Sequence, residues 1–259
     1  MAENIHYLNI TEDDFLNDKR PLFKHMSLEN ALKTLNDNEL WFSNPTKWND
    51  PFESRFIKAK YKNKTGKTIS HPWLNTVFCM CLTQIAASEA HWTPYSQNQI
   101  GIEFVIDRKA LVVFLESHLT DYDIYIGKAE YMRTCEIKGA LDKIPFAKPV
   151  PTMLTDKWWA RLLLLKRNAF NYEDEIRIIL VSKKQVDEDG ILLNYNCDCT
   201  DLIHSIILDP NLQINTENLL RGVFENIYGF SPIQTNNSLH PRVYKSRLYQ
   251  ELDDHVYKL

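Results

Sequence analysis

In the run Asn171-Tyr-Glu-Asp-Glu-Ile-Arg-Ile-Ile-Leu180, two glutamates and an arginine recur at every second position. On a strand alternate side chains share a face, so Glu173, Glu175, Arg177 and Ile179 are expected to point one way. Tyr172, Asp174, Ile176, Ile178 and Leu180 then point the other. Carboxylates two residues apart on a pleated strand stand roughly 7 Å from one another. Each raises the proton affinity of the other, and an arginine on the same face offsets that effect. Such a set can stabilise developing positive charge or move protons. The plain structural alternative is an exposed, ion-paired strand end.

A second concentration is Trp41-Phe-Ser-Asn-Pro-Thr-Lys-Trp-Asn-Asp-Pro-Phe-Glu53. Two tryptophans, two phenylalanines and the polar groups of Ser43, Asn44, Asn49 and Asp50 crowd one short loop, as aromatic walls and polar groups do around a small ligand. The alternative is a rigid turn whose Asn and Asp side chains satisfy their own backbone. A third feature, His91-Trp-Thr-Pro-Tyr95, puts Trp92 and Tyr95 at helical spacing, where packing is the ordinary role; His25 is likewise more often structural. No nucleophile-elbow, zinc-protease or phosphate-loop pattern is present. The cysteines form two Cys-x-Cys pairs, Cys79/Cys81 and Cys197/Cys199, with Cys135 alone. A single intervening residue is short for converging zinc ligands, so these read as core thiols without metal or disulfide.

These residues must be positioned by elements that the pattern outlines. Ser27-Leu-Glu-Asn30 opens a helix carried by Leu28, Ala31, Leu32 and Leu35, and Leu40–Ser43 follows as a strand. Pro45 and Pro51 hold Asn44–Pro51 as an irregular loop. Strands are expected at Thr76–Leu82, Ile100–Ile106, Tyr122–Tyr131, Tyr172–Ser182, Leu202–Leu208 and near Arg242–Ser246. Helices are expected at Lys109–Leu119, Asp156–Phe170 and Thr216–Tyr228. Irregular helix placement rather than strict alternation indicates an α+β fold: mixed, mostly antiparallel sheets flanked by helices. No linker or repeat divides residues 1–259, so a single domain is expected.

With aromatics spread from end to end, a long disordered tail is not expected; with 7 glycines, neither is a glycine-dense phosphate loop. The net charge of −4 sets no strong expectation about partners and no basic run announces a face for duplex nucleic acid; the most basic window, Lys58–Lys67, reads as a solvated loop, with contact to an anionic ligand as the alternative. No secretory signal or membrane-length apolar run is visible, which points to the cytoplasm.

Taken in order, Leu22-Phe-Lys-His, Leu40-Trp-Phe-Ser-Asn-Pro, Trp48-Asn-Asp-Pro-Phe-Glu53, Trp92-x-x-Tyr95 with Gly101, and Lys166 with Tyr172-Glu-x-Glu-x-Arg177 resemble bacterial domain-of-unknown-function family 2971. The resemblance covers about residues 21–210, leaving 211–259 as a C-terminal extension. It departs at Phe170, Pro94 and Asp209, where the family usually has tryptophan, histidine and glycine. More distantly, the order of His25, the helix, the Trp-Phe-Ser strand and the late Glu-x-Glu strand resembles ADP-ribosyltransferases. That resemblance implies an ADP-ribosyltransferase-like fold and NAD as substrate, in a bacterial toxin or phage-defence effector. His25, Ser43, Asn49, Asp50 and Arg177 would hold NAD, and Trp92 or Tyr95 would stack on nicotinamide. Glu175 would serve the ribose and Glu173 an acceptor, protein or nucleic acid.

Two rivals remain open at this point. One is a non-catalytic sensor holding a nucleotide or other small anion in the same pocket. The other is a metal-dependent nuclease using Asp50, Glu53, Glu173 and Glu175, since four carboxylates can bind magnesium.

Overall fold

The computed structural model describes residues 4–62, 65–86, 88–96, 100–142, 156–235 and 238–249. Among these, ten strands form one mixed, mostly antiparallel sheet. They are β1 (His6–Leu8), β2 (Leu22–Ser27), β3 (Glu39–Ser43), β4 (Val77–Thr83), β5 (Gly101–Ile106), β6 (Tyr122–Lys128), β7 (Glu175–Ser182), β8 (Gly190–Asn194), β9 (Ile203–Leu208) and β10 (Val243–Lys245). The order is β1-β6-β7-β4-β2-β5-β9-β10, with β3 joined to both β4 and β8. Parallel pairing occurs between β1 and β6 and between β9 and β10. Helices flank the sheet, so the α+β class and the mostly antiparallel character agree with the pattern. No helix among the described residues is long and apolar enough to cross a membrane.

β7 lies between β4 and β6 and shows the expected alternation. Ile176, Ile178 and Leu180 enter the larger core with Phe78, Met80 and Phe104. On the other face Ile179 and Val181 join Val77, Cys79, Leu163 and Leu164 in a second core. Burying one such side chain contributes about 1.5–3 kcal/mol, so a one-residue slip of β7 would be costly on both faces. Arg177 and Glu175 continue the second face past the end of its apolar residues.

Two expected elements differ. The helix from Asp156 stops at Leu162, and Leu165–Arg167 pairs as a short strand with Glu130–Met132. The apolar run 162–165 fits either element by periodicity, and burial of Leu163 and Leu164 decides for a chain that turns inward. β7 begins at Glu175 rather than Tyr172. Asn168–Glu173 forms a 3₁₀ turn, closed by Asp174 in the left-handed region (φ 36°). Glu173 is therefore beside the strand, not on it. Residues 143–155 of the proline-rich stretch lie outside the described residues, as do 63–64 of the basic window.

The feature that creates a site is a gap in the sheet. β2 meets β4 at the single pair Phe23↔Thr83, and β3 meets the same edge at the single pair Ser43↔Cys79. Between those points β2 and β3 splay, leaving the Met80–Leu82 edge of β4 unpaired and a wedge open above it. Helix Leu28–Asp37 joins the two strands. The Ser27 hydroxyl caps its start by accepting from the Asn30 N–H, and left-handed Asn38 ends it.

Candidate functional site

The wedge holds two adjoining compartments of about 460 and 190 Å³, which share Lys24, His25 and Tyr95 as a common wall. The smaller is lined by His91, Tyr172, Glu173 and Glu175 besides that wall. The larger runs between β2 and β3 and is walled by Met26, Leu40, Trp41, Met80 and Leu192.

Glu175 is 4% exposed and sits at the inner end of the smaller compartment. Its Oε2 accepts from Arg177 Nε at 3.1 Å and Nη2 at 2.8 Å, and from Lys166 Nζ at 3.0 Å. Burial would raise its proton affinity, but Arg177 and then Lys166 overcome that and hold its pKa at about 2. Glu173 shows the opposite behaviour. Burial and then the Glu175 charge raise its pKa, although its carboxylate hydrogen-bonds to Lys166. Neighbouring carboxyls whose proton affinities are pushed apart are the arrangement used for one fixed charge and one proton carrier.

Behind Glu175 lies a buried support. Arg177, with no exposed surface, also pairs with Glu53 and donates to the Leu163 carbonyl. The Trp48 ring covers the guanidinium at 4.7 Å. Trp48 Nε1 donates to Ser43 Oγ at 3.0 Å, and Ser43 donates in turn to the Cys79 carbonyl at 3.4 Å. Asp50 pairs with Arg167 at 2.9 Å. The structure thus brings the Ser43–Glu53 loop and the Glu173–Arg177 segment together. The loop serves as backing to Glu175 rather than as a wall of the open cleft.

This placement corrects several expected ligand contacts. Arg177 is sealed by Trp48, Glu53 and Glu175 and has no surface to offer a ligand. Ser43 and Asp50 spend their polar groups on Trp48, Cys79 and Arg167. Asn49 is exposed and outside both compartments. Trp92 is buried against His25, ring centroids 5.2 Å apart, and does not line the cleft. The exposed strand end considered for Glu175 and Arg177 is also corrected, because both are buried.

His25 and Tyr95 do face the cleft. Their rings stack with centroids 6.1 Å apart, and His91 lies 5.2 Å from His25. Tyr95 is carried by helix Glu89–Ser96, which approaches β5 closely at Gly101. A Cβ there would fall 2.8 Å from Ser96 Oγ and 3.1 Å from the Trp92 ring. Burial, then the neighbouring His91 and Lys24, lower the His25 pKa to about 3, so its ring is neutral near pH 7. Its Nε2 lies 3.6 Å from Glu103, whose carboxyl has no exposed surface and is pushed up to about 8 by burial. Neither His25 Nε2 nor either ring nitrogen of His91 has a hydrogen-bond partner among the described residues.

Reading the sequence gave no site role to His91, and treated Lys24, Tyr172 and Lys166 only as parts of a motif or resemblance. Lys166 carried a signal: a lysine closing a run of four leucine-rich positions must find carboxylates if the run is buried. Its pKa, which burial would lower, is raised by Glu175, Glu53 and Glu173. The five cysteines are free thiols, with Cys79 and Cys81 on the second face of β4.

The arrangement offers an aromatic, imidazole-bearing wall in one compartment with a carboxylate whose proton affinity Arg177 and Lys166 lower. Comparison of the chain with family models, with curated proteins and with solved structures found no match.

Proposed function

We propose that the cleft binds NAD and breaks its nicotinamide–ribose bond, either by hydrolysis or by transfer of ADP-ribose to an acceptor. One observation carries this reading: the ionised Glu175 opens into a wedge between splayed strands, opposite the rings of His25 and Tyr95. The order of elements that resembles ADP-ribosyltransferases agrees with it, as fold-level analogy.

The residues present fit such a substrate. The unpartnered nitrogens of His25 and His91 are buried polar groups that a carboxamide or ribose hydroxyl can satisfy. The Tyr95 ring offers a flat apolar surface beside them. When bound, NAD supplies a glycosidic bond whose cleavage leaves positive charge on the ribose and a neutral leaving group. Glu175 lies where that charge must be offset, fixed in place by Lys166 and Arg177, so no reorganisation is needed as the charge develops. Glu173, with its raised proton affinity, is suited to take a proton from the incoming nucleophile. A role as toxin or phage-defence effector rests on the resemblance.

A second reading, a non-catalytic nucleotide sensor, is favoured by the small exposure of Glu175 and its three cationic donors. The metal-dependent nuclease fits less well. Asp50, Glu53, Glu173 and Glu175 are each paired with Arg167, Arg177 or Lys166, so side-chain cations take the place of a divalent ion. An assay for nicotinamide release from labelled NAD, with and without magnesium, tests the proposal: release independent of magnesium supports it, and binding without release leaves the sensor.

A further inference from the structure

The charges around the wedge are unevenly placed. The smaller compartment is lined by Glu173 and Glu175, and the larger by Asp37 and Glu39 with Lys33. Between them, on the wall common to both compartments, is Lys24. Its Nζ reaches across the gap between β2 and β4 and donates to the Cys81 carbonyl at 3.3 Å. Burial lowers the Lys24 pKa and the nearby Cys81 and Glu175 act against that; as an ammonium it has three donors, and among the described residues no carboxylate lies within ion-pair distance of it. Lys166, Arg167 and Arg177, by contrast, are all engaged with carboxylates. The larger compartment also carries a flat apolar wall. Trp41, 46% exposed, lies across Gly190, where a Cβ would fall 2.2 Å from the indole. A strand residue larger than glycine would lift that ring from its seat.

We infer that Lys24 is the anion-binding residue of the cleft, and that it selects ligands in which a phosphate or diphosphate bridge joins two ring-bearing ends. One end occupies the compartment of Tyr95 and Glu175, the other lies along Trp41, and the bridge sits at the waist on Lys24. The inference rests on the reading of the cleft as a nucleotide site, but not on turnover there.

The experiment is calorimetric titration of wild-type protein and Lys24→Met with ADP-ribose, which has the bridge, and with nicotinamide riboside, which lacks it. A charge-assisted hydrogen bond is worth about 1.5–3 kcal/mol, so the substitution should weaken ADP-ribose binding by about 10- to 100-fold. Nicotinamide riboside, a cation without phosphate, should bind the variant no more weakly than wild type, since the lost ammonium attracts nothing in it. In wild-type protein, ADP-ribose affinity should fall as salt rises, a readout that does not depend on how well the variant folds. Equal ADP-ribose affinity in wild type and variant, salt-independent ADP-ribose binding, or no ADP-ribose binding at all would overturn the inference. Lys24-dependent ADP-ribose binding without any NAD cleavage upholds it and removes the catalytic reading. NAD cleavage with an unchanged KM in Lys24→Met does the reverse.

Discussion

Arg177 Nη2 lies 2.8 Å from Glu175 Oε2, and the same nitrogen also donates to Glu53. One guanidinium thus ties β7 to the loop that follows β3, across 124 residues of sequence. With Lys166 also reaching Glu53, Glu173 and Glu175, the five groups form a single buried network. Removing one member leaves its partners charged and buried, so Arg177→Met should lose about 3–5 kcal/mol of stability. Chemical denaturation measures this, and a loss under about 1 kcal/mol would mean that the pairs are exposed in solution.

The burial of Glu103 and His25 sets a pH dependence. Glu103 keeps its proton up to about pH 8 when folded, whereas an unfolded glutamate releases it near 4.5. Between those values the folded state binds more protons, so this contribution to stability falls as pH rises, by about 1.4 kcal/mol per unit. His25 at about 3 and His71 at about 4 act in the opposite sense below 6.5, where the unfolded chain binds protons that the folded one does not. Stability should therefore peak near pH 6.5 and decline toward 8. Glu103→Gln should abolish the decline on the alkaline side, and an unchanged slope from 6.5 to 8 in that variant would show that Glu103 is ionised in the folded protein.

At Gly101 a methyl group would meet Ser96 and the Trp92 ring. Gly101→Ala should shift helix Glu89–Ser96 outward and cost about 1–3 kcal/mol, as overpacking does. Because Tyr95 rides on that helix, ligand affinity should fall with stability. Quenching of tryptophan fluorescence alongside a thermal melt measures both, and a melt identical to wild type would mean that the helix is not seated as described.

What the sequence disclosed of the site follows its physics. The shared face of Glu175, Arg177 and Ile179 was legible because a strand has a period of two. The partnership of Arg177 with Glu53 was not, since nothing local distinguishes a glutamate that folds back from one left in solvent. Lys166 was hidden by leucines that read equally as helix. Trp92 and Tyr95 share helical spacing, yet one ring packs against Gly101 and the other faces the cleft; the difference lies in β5, not in their own helix. The wedge itself depends on β2 and β3 meeting one edge of β4 at single pairs, a property of strand order that no window of sequence carries.

Glu173 and Glu175 differ in proton affinity, and their variants should differ in consequence. Glu173→Gln removes a proton acceptor while leaving the Glu175 charge, so transfer to an acceptor should fall by about 10²–10³, more than hydrolysis of NAD does. Comparing labelled acceptor with free ADP-ribose in one reaction gives the ratio. An equal fall in both products would place Glu173 in support of Glu175 rather than on the nucleophile.

The measurement closest to the central claim is nicotinamide release from NAD by wild-type protein and by Glu175→Gln, normalised to folded protein. The normalisation matters because Glu175 shares two buried cations, so the amide should lower the melting temperature as well as the rate. Wild-type protein should release nicotinamide without added metal, and Glu175→Gln should be slower by about 10²–10³, since a neutral amide cannot offset the charge on the ribose. A wild-type protein that leaves NAD intact, or a variant as fast as wild type per folded molecule, would contradict the account.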